Sequence, residues 1–141
     1  MDWTQHHQNS ERKASDADVA RFQRDYARAR QLYQLAAEAE ELALPHIPSE
    51  EPETLGTLTV SAVALWYKAG AYAQARTLAT HWLKEPNLPS FAQIQLQDLL
   101  AEIEKLESLT HEIDVLRIAA PFSPSAREHL TKTVAEWKRA A

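Results

Sequence analysis

The sequence predicts an all-α protein, a compact bundle of about five helices of which two are long. Three observations lead there. Only two glycines occur in 141 residues, and the strong helix formers Ala, Leu, Glu, Gln and Arg dominate. Apolar residues recur at alternating spacings of three and four, the repeat of a helix face. Val, Ile and Thr are scattered, not gathered into the alternating runs of a half-buried strand.

Residues 1–14 lack apolar periodicity and are expected to be disordered or loosely attached, leaving 15–141 as a single helical domain. The first helix is expected over 15–44. Ser15 can cap the amide of Asp18, and Asp16 and Asp18 put negative charge where the helix dipole favours it. Val19, Phe22, Tyr26, Ala29, Tyr33 and Ala36 share one face, which Leu32, Leu35, Ala39 and Leu42 widen. Pro45 and Pro48 end this helix, and residues 45–53 form an acidic, proline-rich linker.

A second helix is expected from Glu53 or Thr54 to Ala69, a turn at Gly70, and a third helix from Ala71 to Lys84. Pro86 and Pro89 bracket the next turn. Ser90 and Gln93 then have the spacing of a capping box, with Leu88 and Ile94 placed as a hydrophobic staple. Leu96, Leu99, Ile103, Leu106, Ile113, Leu116 and Ala120 follow in near-heptad order, fitting one helix over 90–120 or two with a break near Ser108-Leu109-Thr110. Pro121 stops it. A last helix from Ser123 or Ser125 places Ala126, Leu130, Val134 and Trp137 roughly on one side.

Composition excludes several classes. A net charge of −5 is not that of a broad basic surface, so no nucleic-acid partner is expected. Without cysteine there is no disulfide framework, thiolate metal site or cysteine nucleophile. The polar first residues cannot be a signal-peptide core, and no apolar run approaches the ~20 residues of a membrane span. A cytoplasmic protein without a membrane partner is the expectation.

Around the turn at Gly70, Trp66, Gly70, Tyr72 and Ala75 stand at the spacing of the tetratricopeptide repeat, a helix–turn–helix of about 34 residues. Tyr26, Ala29, Tyr33 and Ala36 repeat the spacing of Tyr72, Ala75, Ala79 and Trp82 at an offset of 46 residues. Over residues 16–90 the chain thus resembles a degenerate tetratricopeptide-repeat protein with about one and a half repeats. It departs from the family pattern where Ala79 and Trp82 exchange a large and a small position. The resemblance implies a protein-binding module, the first helix of the repeat lining a groove for a peptide or partner helix. On this chain that face is Thr57, Val60, Ala64, Tyr67 and Lys68; alternatively Val60 and Ala64 are covered by another helix of the same chain.

Arg21, Arg24 and Arg28 share a face of the first helix and could dock an acidic partner segment. Asp25 stands four residues from Arg21, so a salt-bridged solvated face is the competing reading. Glu38, Glu40, Glu41, Glu50, Glu51 and Glu53 read as solubilising surface. No metal or cofactor is expected. Glu107, His111 and Asp114 share a helix face, but no Glu-x-x-His motif occurs, and His6-His7 reads as a tail pair. Neither a phosphate-binding glycine loop nor a nucleophile elbow is present, so no enzyme is expected. Trp66, Trp82 and Trp137 read as core or interface anchors, with a pocket among Trp66, Tyr72 and Trp82 as the enzyme-like alternative. The functional expectation is an adaptor binding another protein or peptide; the alternative is a self-associating protein, a homodimer through the long helices.

Overall fold

Helix α1, Trp3–Phe22, occupies most of the segment expected to be loose. The computed structural model describes residues 2–119 together with Lys132 and Ala135, and the expected last helix lies outside these apart from those two positions. Asp2 caps α1 in a reciprocal box: its carboxylate accepts the Gln5 amide at 3.0 Å while the Gln5 side chain accepts the Asp2 N–H at 3.2 Å. The buried face of α1 is Ser10, Ala17 and Ala20, with Trp3, His7 and Ala14 partly buried. Trp3, His7, Ser10, Ala14 and Ala17 follow at spacings of four and three, a helical stripe that small and polar residues hide from a count of apolar ones.

The helix expected over 15–44 is in fact two. Helix α1 stops at Phe22, and α2 runs Tyr26–Ala43. Arg24 takes a left-handed backbone with φ 62°. The Arg24 N–H bonds to the Arg21 carbonyl and the Asp25 N–H to the Ala20 carbonyl, both at 2.9 Å, the pattern of a Schellman motif. Asp25 does not pair with Arg21 as expected but caps α2, its carboxylate accepting the Arg28 N–H at 3.3 Å.

After a 3-10 turn at Leu44–His46, α3 covers Pro52–Lys68 and α4 covers Tyr72–Leu83, close to expectation. Between them Gly70, φ 75°, repeats the turn of Arg24. The Gly70 N–H bonds to Tyr67 and the Ala71 N–H to Trp66, both at 3.0 Å, each 46 residues beyond its counterpart. The sequence offset is therefore a backbone offset as well.

The αL conformation costs an L-residue about 1–2 kcal/mol, which glycine avoids. Arg24→Gly is expected to raise stability by about 0.5–1 kcal/mol after the unfolded-state entropy of glycine is subtracted. Gly70→Ala, whose new Cβ meets only the Arg30 Cδ at 3.6 Å, is expected to cost about 1 kcal/mol from backbone strain alone. Urea denaturation midpoints measure both.

Helix α5 is one continuous helix, Ser90–Ala119. Gln93 does not complete the expected box with Ser90; its amide donates to the Leu88 carbonyl at 2.9 Å. The chain divides into two compact units, Met1–Ile103 and Glu104–Ala141. The described residues form five α-helices and contain no strand. In the first unit α1 packs on α2, α2 on α3 and α3 on α4. Its core is rich in alanine, with Ala17, Ala36, Ala37, Ala43, Ala62, Ala75, Ala79 and Ala92 fully buried, so helix backbones approach closely. Leu96 and Ile103 bring α5 into that core. In the second unit Leu109, Ile113 and Leu116 are exposed along α5.

Candidate functional site

The two equivalent turns bring the ends of both hairpins to one cleft. Tyr26 opens α2 and Tyr72 opens α4, 46 residues apart, each just past its left-handed turn residue. Tyr67 and Lys68 end α3, and Arg21 stands in the last turn of α1. Together with Tyr33, Arg30 and the turn at Gly70 they line a cleft of about 190 Å³. All four tyrosines of the chain are in it.

The cleft has internal order. The Tyr67 and Tyr72 rings tilt against each other at 5.9 Å, and the Lys68 ammonium stands 5.7 Å from the centre of the Tyr33 ring. Buried Tyr33 donates its hydroxyl to Asp18, a carboxylate 3.9 Å from Arg21. Asp18 thus partly offsets Arg21, whereas no described residue pairs with Arg30 or with the Lys68 ammonium other than through the Tyr33 ring.

Burial pushes the Tyr33 hydroxyl up from 10.0 to about 12, reinforced by the hydrogen bond to Asp18 and its charge and opposed by Arg21. A raised native pKa stabilises the fold fully below pH 10, and the contribution fades as pH climbs toward 12. The difference in tyrosinate absorbance between wild type and Tyr33→Phe is expected to titrate near pH 12, with steeper alkaline loss of stability in the wild type. A midpoint near the ordinary tyrosine value would contradict the geometry.

Of the expected site residues, the fold brings Arg21, Tyr67 and Lys68 together. Arg24 is the turn residue and Arg28 lies exposed on α2, so the three arginines do not share the face of one helix. Thr57 is exposed; Val60 and Ala64 are half-buried, and Val60 packs on the core. Tyr26, Arg30, Tyr33 and Tyr72 are the residues that the site reading missed. Their signal was the paired Tyr26 and Tyr72 at the repeat offset.

Other features carry less. Trp66 is buried and donates its indole N–H to Glu41 at 3.1 Å, Tyr72 faces the tyrosine cleft, and Trp82 packs on the core, so the tryptophan pocket is not assembled. A wider hollow of about 450 Å³ lies along α4 beside Glu41 and His81, with its one carboxylate already engaged by Trp66. Among the described residues no three His, Asp or Glu side chains converge as a metal site, and no helix is long and apolar enough to cross a membrane. Compared with protein-family models, curated proteins and solved structures, the chain finds no match.

Proposed function

We propose that this chain is a helical protein-binding module of the cytoplasm, built on a duplicated hairpin resembling the tetratricopeptide repeat, that engages a partner protein at the turn end of its hairpins. The observation carrying this reading is the side chain of Phe22, which is 90% exposed beside Val19 and Tyr26, each 54% exposed. A large apolar side chain so exposed loses about 2 kcal/mol of available burial, which a partner surface would recover. Tyr26 belongs to both this patch and the cleft, so apolar and polar contacts adjoin, as at the centre and rim of protein interfaces. The reading assigns no catalytic step.

Affinity purification tests it. A stoichiometric partner retained by the wild type and lost with Phe22→Asp, a change on a surface residue that leaves the core intact, is the expected result. Undiminished capture by that variant would remove the assignment. A second reading, self-association, is favoured by the exposed Leu109, Ile113 and Leu116 at three-four spacing on α5. Light scattering decides it: a monomer mass at high protein concentration excludes the dimer.

A further inference from the structure

The tyrosine-lined cleft has a volume and a charge that specify more than a docking surface. At about 190 Å³ it is smaller than the roughly 300–1,000 Å³ of pockets for whole small molecules, and suits one inserted side chain. Four phenol rings provide its walls, and Arg21, Arg30 and Lys68 its charges. Against these three cations stands Asp18, which already accepts from Tyr33 and lies near Arg21. Arg30 and Lys68 are left with no anionic partner among the described residues. Arg21 and Lys68 both sit in the last turn of a helix, where the dipole favours a cation.

From this juxtaposition we infer that the cleft receives a carboxylate, carried by an acidic segment of a partner polypeptide whose neighbouring apolar side chain lies on Phe22. The inference rests on the protein-binding reading and adds the chemistry of the bound group. The carboxylate takes the Arg30 guanidinium through paired N–H donors and the Lys68 ammonium as a point charge. Tyrosine walls exclude water around that contact and offer hydroxyls as further donors. A neutral side chain would leave both cations without an anionic partner, which is the basis of discrimination.

The placement of every tyrosine in one cleft supplies the readout. Protein labelled with 3-fluorotyrosine gives four fluorine resonances, all from the site. The probes are a capped Phe-Glu-Glu tripeptide, its neutral Phe-Gln-Gln counterpart and inorganic phosphate. The acidic tripeptide is expected to shift these signals with affinity on the order of 1 mM, at least tenfold more tightly than the neutral one. Arg30→Gln combined with Lys68→Gln is expected to weaken it at least tenfold, as is raising ionic strength from about 0.05 to 0.5 M. Both residues are exposed, and circular dichroism verifies that the variant is folded. Equal binding of the two tripeptides, no shift with either at about 10 mM, or phosphate binding as tightly as the acidic tripeptide would each overturn the carboxylate assignment. A partner captured by Arg30→Gln/Lys68→Gln as by wild type but lost with Phe22→Asp would also overturn it, while protein binding would stand.

Discussion

His7→Ala is expected to destabilise the protein by about 3 kcal/mol, a large share of the 5–15 kcal/mol that holds a typical domain. The cause is Glu40. This residue of α2 is 1% exposed, and its carboxylate accepts from His7 of α1 and Ser61 of α3, both at 2.7 Å. One buried anion therefore ties three helices together. The other ring nitrogen of His7 faces Glu11 at 3.2 Å. Removing the imidazole strands the carboxylate with one hydroxyl partner; water entering where His7 was 27% exposed limits the loss. Denaturant unfolding of the variant measures the cost, and hydrogen exchange is expected to locate it in α1. The paired variant His7→Leu/Glu40→Met is expected to recover most of the stability, because an apolar pair of similar volume carries no desolvation penalty. If the double variant is as unstable as the single one, packing and not the buried charge accounts for the loss.

That same carboxylate marks where sequence reading stops. Glu40 sits among Glu38, Glu41 and the linker glutamates, and composition assigns all of them to solvent. Burial of one among them depends on which face α2 turns to α1, and α1 was itself hidden. Its contact stripe is Trp3, His7, Ser10, Ala14 and Ala17, helical in spacing but without the large apolar side chains that a periodicity count weighs. His7, read as half of a tail pair, is half-buried and bonded to Glu40, and His6 stacks on His46 at 6.0 Å.

The all-α class, the ends of α3, α4 and the start of α5 were legible because prolines and Gly70 punctuate them. The break at Gln23-Arg24-Asp25 was not, since a left-handed arginine carries no composition signal. Only the echo of Tyr26 and Ala29 in Tyr72 and Ala75 pointed to it. Part of the cleft was legible for the same reason: Tyr67 and Lys68 belong to the punctuated hairpin, whereas Arg30 and Tyr33 reach it only once the chain breaks at Arg24.

Gly56→Val is expected to cost about 3 kcal/mol, the upper part of the usual overpacking range. Glycine in a helix interior gives up about 1 kcal/mol relative to alanine, so its place in α3 calls for a reason. A Cβ at position 56 would lie 3.1 Å from the Ala92 Cβ, the Phe91 ring and the Pro89 Cδ at once. The missing side chain is what lets the start of α5 reach the α3 backbone, and Ala92, fully buried, completes that contact. Phe91 is 39% exposed and can swing away, but Ala92 moves only with the helix that carries it. Gly56→Ala is therefore expected to come within about 1 kcal/mol of wild type, its helix propensity offsetting part of the clash, while two further methyl groups have no space to enter. Coupling tests the contact directly. Ala92→Gly in the Gly56→Ala background removes the opposing Cβ, so the two substitutions together should cost less than their sum in denaturant unfolding. Strict additivity would mean that α5 does not rest on Gly56, and a stable Gly56→Val protein would mean the same.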